Sequence, residues 1–513
     1  LLHRENELEE LVNGRIDQIL GAITNILGYT QLGNTIAAAS VVGLFEYAKS
    51  EGTKIQVAAC NGELYTLSGS TWNANIQTIS TGVRSDFAVF LDKLFWVNGV
   101  NAPRTYDGTN WLTTTSQNSD LYGAPQTHLT EVYNGKVYLA NKTTSKMYFS
   151  STPREIFGIA LGDHNNVTTI SLEDARYCKA SMVVDIYQPG TATKQVDSKT
   201  ISSVNYTEKQ IVLSAASTLS DGAEIKLEDQ SGSLHIFWDS TDDGFIDVDP
   251  QDGSNIAGLL AGRDILHIWK DTGYYQWNDL ELKKISNQGL VNQEAAQIYN
   301  DLVLWFNQEG VWAWGGQRAN PISDAIKLQI DQIAGASLIN ISSGLKDKHL
   351  LYAVGNLTDT NNTIIDYDIG SNIYQLQELP DIFNVFSPYT TNNRKKVIAG
   401  TTVGKIMELD SGSTFNGSPI YFKTRTNPIF LSLPEEKKII YQVFITAKNW
   451  TGATAYIQRN EEEKEVLGEL TDVVTEFNGT WEGYYFRVGF LSQERDIEID
   501  SIVFYYEAQE ARR

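Results

Sequence analysis

One pattern recurs along this chain and constrains its fold more than any other feature. A polar turn leads into alternating apolar and aromatic residues, a Gly- or Asn-bearing turn comes next, and a second alternating run ends on an aromatic. "NGELYTLSGSTW" ends at Trp72, "LDKLFWVNGVNAPRTYDGTNW" at Trp111, "NGKVYLANKTTSKMYFSS" at Ser151 and "GRDILHIWKDTGYYQWN" at Asn278. Further copies lie at Asp301 to Gly316, His349 to Tyr374 and Lys395 to Asp410. Each reads as a β-hairpin. Apart from one wide gap, adjacent copies start roughly 30 to 50 residues apart, the period of four-stranded propeller blades. Seven hairpins predict about seven blades, with runs such as "RSDFAVF" and "QEAAQIY" supplying the remaining strands.

The richest copy, "NDLVLWFNQEGVWAWGG", tests what the rings are for. On alternating positions Leu302, Leu304 and Phe306 face one side and Val303 and Trp305 the other. Both faces are apolar, as a blade between two neighbours requires. The rings read as core. The alternative is a platform that stacks on sugar rings, for which Trp72, Trp111 and Trp277 would be surface aromatics sharing a solvent-facing rim.

Two segments break the rhythm. Residues 161–230 hold short β-branched strands between Ser, Thr, Asn and Asp, which reads as a small inserted sandwich or barrel. Residues 417–513 carry well-alternated strands spaced for a β-sandwich. The expected fold is therefore all-β: a β-propeller interrupted by a small β-domain and completed by a C-terminal β-sandwich. Its parts are an N-terminal entry segment over 1–34, propeller over 35–160 and 231–416, the insert over 161–230 and the sandwich over 417–513. Helix is scarce; "ISDAIKLQIDQI" predicts one, with Ser323 as its cap and Ile326, Ile330 and Ile333 on one face.

Composition narrows the function. With 63 acidic against 40 basic residues the net charge is −23, which argues against gripping a nucleic-acid backbone, since phosphate affinity needs clustered Lys and Arg. Such a charge serves solubility, or a surface along which DNA passes without sticking. Only Cys60 and Cys178 are present, too few for a disulfide framework. The longest apolar run, "IAAASVVGLF", falls well short of the ~20 residues a membrane helix needs, so no membrane span is expected. The acidic start, "LLHRENELEELVNG", lacks the order of a signal peptide and has no initiating Met, so the native start is expected further upstream.

"DDGFIDVDPQDGSNIAGLLAGRDILHIWKDTGYYQW" and then "GLVNQEAAQIYNDLVLWFNQEGVWAWGGQRANPISDAI" resemble the propeller core of structural tail proteins of short-tailed bacteriophages, of the nozzle or packaged-DNA-stabilisation type. "GRIDQILGAITNILGYTQLG" is similar to the entry strand of that group, and "YFKTRTNPIFLSLPEEKKIIYQVFITA" to its terminal sandwich. The likeness covers most of Asn13 to Ala508 and rests on pattern and order. It implies a non-enzymatic virion tail component, made in the host cytoplasm. Copies would form a ring, six-fold by the resemblance, against other tail, adaptor or portal proteins, with the genome passing through the lumen during ejection.

The most pointed local cluster is "DSTDDGFID". Asp239, Thr241, Asp243 and Asp247 fall at positions one, three, five and nine of a calcium loop, with Gly244 at six. Position twelve is Pro250 where that pattern wants Glu, and an acidic turn between strands is the competing reading. No other cofactor is expected. The six histidines never fall at metal-ligand spacing, His267 reads as packed, and neither GxSxG nor GxxxxGK[ST] occurs. Two further functions stay open: a receptor- or glycan-binding adhesin, and a propeller glycoside hydrolase in which two carboxylates face one another across a pocket.

Overall fold

The computed structural model describes residues 8–15, 23–114, 120–230, 232–239, 244–262, 264–333, 335–355, 362–391, 394–493 and 497–509. The chain divides into two compact units, one of residues 39–324 and one of residues 1–38 with 325–513. The fold class is that of a β-propeller. Among the described residues there are seven four-stranded antiparallel blades, an inserted β-domain and a C-terminal sandwich.

Five blades belong to the unit of residues 39–324. Blade 1 comprises Val41–Ala48, Lys54–Cys60, Glu63–Ser68 and Thr71–Thr78, and blade 2 comprises Asp86–Phe90, Lys93–Val97, Arg104–Tyr106 and Trp111–Thr113. Blade 3 takes Leu129–Tyr133, Lys136–Ala140 and Lys146–Phe149, then Phe245–Asp247 from beyond the insert. Blade 4 comprises Ile256–Ala261, Leu266–Lys270, Gly273–Trp277 and Leu282–Ser286; blade 5 comprises Ala296–Tyr299, Leu302–Asn307, Gly310–Trp314 and Ala319–Pro321. The hairpins expected at 91–111, 134–151, 262–278 and 301–316 supply the two inner strands of one sheet each, while the one at 61–72 pairs the third strand of blade 1 with its edge strand. Positive-φ Asn-Gly pairs form the tight turns at Asn61-Gly62 and Asn134-Gly135.

Burial decides what the tryptophans of blade 5 do. Val303, Leu304, Trp305, Phe306 and Val311 are all at most 1% exposed. Tyr274 of blade 4 lies 5.1 Å from Trp269 in its own sheet and 5.2 Å from Trp305 in blade 5, so the rings fill the seam between adjacent blades.

The insert is a closed barrel. Its sheet runs Gly158–Ile159, Glu224–Leu227, Val183–Tyr187, Lys194–Asn205, Gln210–Leu219, His164–Ser171. The two end strands then meet: Leu161 N–H donates to Ser171 O at 2.8 Å and Glu173 N–H to Ile159 O at 2.9 Å. Closure removes both edges, and Ile170, Val184, Ile186, Ile201, Ile211 and Ile225 fill the interior.

In the second unit, blade 6 comprises Ser342–Lys346, His349–Val354, Thr363–Asp368 and Ile373–Glu378. Blade 7 takes Phe383–Thr391, Arg394–Thr401 and Ile406–Leu409, and its fourth strand is Tyr29–Gln31. The sandwich pairs two sheets over a core of Ile440, Val443, Ile445, Phe486 and Val488. One sheet runs Gly14–Arg15, Ile23–Asn25, Glu498–Gln509, Lys437–Lys448, Val474–Gly483. The other continues from blade 6 through Leu8–Val12 to Phe422–Thr426, Phe486–Ser492, Thr454–Arg459 and Glu465–Glu469. The expected entry segment is thus no separate part: its strands complete both the sandwich and blade 7.

The expected helix shrinks to a 3-10 turn at Asp324–Ile326 and one α-turn at Lys327–Ile330. Ser323 does not cap it, because its hydroxyl accepts the Val311 N–H at 3.0 Å inside blade 5. Ile326 and Ile330 are buried, as their spacing predicted. No helix among the described residues is long and apolar enough to cross a membrane.

Candidate functional site

The best-defined concentration of titratable groups lies along the first strands of the blades in the unit of residues 39–324. Neighbouring blades there are joined by a series of polar staples. Ser85, just before blade 2, donates its N–H to Val42 O of blade 1 at 2.9 Å. Asp86, which opens blade 2, accepts the Thr130 N–H of blade 3 at 2.8 Å through Oδ2 and its own neighbour Phe87 N–H at 3.0 Å through Oδ1. The Glu131 carboxylate of blade 3 is favoured by the nearby backbone of Ala261 in blade 4. Gln293, before blade 5, both accepts from Leu259 N and donates to Leu259 O, each at 2.7 Å. Each staple satisfies backbone groups that a four-stranded sheet leaves unpaired on its first strand.

Arg84, Lys142 and Glu294 complete this cluster. Burial pushes the Asp86 carboxyl up to about 8, with Glu294 and Glu131 adding to the rise and Thr130 N–H and Lys142 opposing it. Burial likewise takes Glu131 up to about 7 and raises Glu294 against the pull of Arg84 and Lys142. Desolvation lowers Lys142 and Arg84. All five residues are half-buried. Carboxyls whose affinity for a proton burial raises, beside a lysine and an arginine, can exchange protons or bind a polar ligand. The sequence carries one signal for them, a carboxylate at the start of an apolar strand, in "SDFAVF" and "LTEVY".

The calcium reading fares differently. Thr241 and Asp243 lie outside the described residues. Asp239 is half-buried, while Asp247 is exposed, pairs with Lys146 in blade 3 and accepts the Ser145 hydroxyl. Among the described residues, no three His, Cys, Asp or Glu side chains converge to hold a metal. The adjoining loop does hold a cation, and it is the protein's own. Lys270, fully buried, donates to Val248 O and Asp249 O at 2.8 Å each and to the Asp252 carboxylate. Bonded to that ammonium, Asp252 is held far below the usual carboxylate range despite its partial burial. Sequence reading missed this site, since Lys270 only ends the "DILHIWK" strand.

The three tryptophans do not share an exposed rim. Trp72 is 3% exposed: the aromatic ending that hairpin turns inward, which goes against the platform alternative. Trp111 is half-buried, stacked on Tyr106 at 4.7 Å across its own hairpin. Trp277, also half-buried, packs on the core of blades 3 and 4 and donates its indole N–H to Asp279 at 3.2 Å. His267 is packed as expected, 2.6 Å from the Tyr274 hydroxyl and held down to about 4 by burial.

No family model and no curated protein matches the chain. Solved structures do. A computationally designed protein, Ika8, aligns at 11% identity over 74% of this chain and 99% of its own, with a TM-score of 0.34. YCF48, solved with a bound peptide, aligns at 8% identity over 77% and 98%, with a TM-score of 0.39. BBS1N, solved in complex with ARL6DN, aligns at 10% identity over 75% and 97%, with a TM-score of 0.40.

Proposed function

We propose that this chain is a structural component of a bacteriophage virion tail, at the nozzle, hub or head-to-tail connector, whose copies form a ring around the DNA exit channel. The order of its motifs supports this reading, as does the distribution of exposed apolar side chains. Among the described residues, eleven of the twenty exposed large hydrophobics fall within 417–513, including Tyr421, Val466, Val474, Leu491, Val503 and Tyr505. Apolar surface gathered in one part of a chain is the mark of a protein that works through interfaces. The acidic balance suits a conduit that must let DNA slide. Electron microscopy of the purified chain and of virions tests the reading. A closed ring with a lumen wide enough for duplex DNA is expected; a strict monomer absent from particles defeats it.

A propeller glycoside hydrolase is the second reading, favoured by the raised carboxyls of Asp86 in blade 2, Glu131 in blade 3 and Glu294 just before blade 5. Polysaccharide cleavage lost in both Asp86→Asn and Glu131→Gln would support it, and the absence of cleavage by the intact chain would end it. The adhesin reading draws no support from the three tryptophans it relied on.

A further inference from the structure

The outer face of one sandwich sheet is apolar, acidic and exposed. It is carried by Glu498–Gln509, Lys437–Lys448 and Val474–Gly483, strands of 12, 12 and 10 residues. Their inward positions, among them Ile440, Val443, Ile445 and Phe504, pack on the sandwich core. Alternation sends Phe444, Val503 and Tyr505 the other way, beside Tyr441 and Val474. Tyr441, Val474, Val503 and Tyr505 are between 41% and 58% exposed, and the Phe444 ring lies 5.4 Å from that of Tyr505. Two carboxylates border these side chains. Glu476 accepts from the Gln442 amide at 2.9 Å and Glu507 from the Tyr441 hydroxyl at 3.0 Å, and neither forms an ion pair among the described residues.

The same unit carries a surface of opposite charge. The first two strands of blade 7, Phe383–Thr391 and Arg394–Thr401, outreach their neighbour Ile406–Leu409, which pairs only with Ile398, Ala399 and Gly400. Their free end therefore projects past the third strand as a two-stranded ribbon. Arg394 and Lys395 lie there, both exposed, and neither takes part in an ion pair or a side-chain hydrogen bond among the described residues. Lys396, next to them, is already paired with Glu408.

We propose that this sheet face seats the blade 7 ribbon of a second copy of the chain, with Arg394 and Lys395 set against Glu476 and Glu507. The choice of partner rests on the ring reading; the two surfaces that meet are new to it. Charge decides the geometry. Two such faces packed on each other across a two-fold axis would bring their carboxylates together without a cation, so the contact is head-to-tail. Each copy then gives one ribbon and receives another, an arrangement that closes into a ring or runs on as a filament. Size agrees. At ~3.3 Å per residue and ~4.8 Å between strands the face spans roughly 40 by 14 Å, about 550 Å², and a ribbon about 10 Å wide fits on it. A standard interface takes about 800 Å² from each partner, so apolar contact alone leaves this one weak and the charge pairs decide whether it forms.

Sedimentation velocity of the full chain across a concentration series tests the docking. Wild type should assemble, less readily as salt rises. Glu476→Lys with Glu507→Lys, and separately Arg394→Glu with Lys395→Glu, should each raise the concentration needed for assembly at least about tenfold. Mixing the two variants should restore it, because the basic face of one meets the acidic ribbon of the other and the reverse, and recovery also shows both to be folded. Assembly of either variant at wild-type concentrations, or no recovery on mixing folded variants, overturns the docking, while a ring in virions keeps the ring reading. A chain that stays monomeric at every concentration overturns the docking too, and its absence from particles then defeats the ring reading with it. Should a variant fail to fold, carbodiimide cross-linking of the wild type decides: a Lys395 amide to Glu476 or Glu507 confined to the assembled fraction sustains the docking, and its absence there overturns it.

Discussion

The Asp86 carboxylate of blade 2 accepts the backbone N–H of Thr130 in blade 3 at 2.8 Å. A group that would be a solvated charge in the unfolded chain is thereby held between two blades, where burial raises it from 3.8 to about 8. Between those values the folded state binds a proton that the unfolded state has released. Stability from this group is therefore full below about pH 4 and is lost as pH rises through 8. Glu131, raised from 4.5 to about 7, acts in the same direction. Thermal melts should show Tm falling from pH 6 to pH 9, and Asp86→Asn, which keeps an acceptor for Thr130, should flatten that slope. A slope equally steep in the variant would refute the assignment.

Lys270→Met should be severely destabilising. It keeps the stem's volume but strips the ammonium from Val248 O, Asp249 O and Asp252, leaving a carboxylate without its counter-charge. The expected loss is ~3–5 kcal/mol in urea unfolding. Asp252→Asn, which leaves two carbonyl acceptors in place, should cost less.

Asp120 predicts a comparable loss from a different geometry. It is 2% exposed, pairs with Lys93 at 2.5 Å and His235 at 2.9 Å, and its carbonyl accepts the Trp238 indole N–H at 2.9 Å. Asp120→Ala should lower stability by ~3–5 kcal/mol, while Leu280→Ala, at a residue 90% exposed, should stay within about 0.5 kcal/mol of wild type.

Gly404 adopts φ +71, and an added Cβ would overlap the Ala37 carbonyl. Ile36 N–H donates to Gly404 O at 2.8 Å beside it. Gly404→Ala must therefore shift backbone on both sides, and circular dichroism melts should show a loss larger than the ~1 kcal/mol of strain alone.

What could be read from sequence was whatever depends on neighbours along the chain. Leu302 to Trp314 announces a two-faced hairpin because side-chain alternation is local, and Asn134-Gly135 announces its turn for the same reason. For Trp72 alternation leaves core and platform both open, because it says which residues share a face and not which face turns inward. Ser323 stands where a cap belongs, but the competing donor is Val311, twelve residues away in blade 5. The staples and the Lys270 site join residues 18 or more positions apart. Nothing in the intervening sequence carries that information, since such contacts exist only once sheets have stacked.

Blade 7 draws its fourth strand from Tyr29–Gln31, which pairs with Ile406–Leu409. A nascent chain therefore emerges from the ribosome holding a strand whose partner is still untranslated. At about 5–20 residues per second the wait is roughly 20–75 s. Throughout it the Tyr29 edge stays open to any other unpaired strand, including that of a sister chain on the same message.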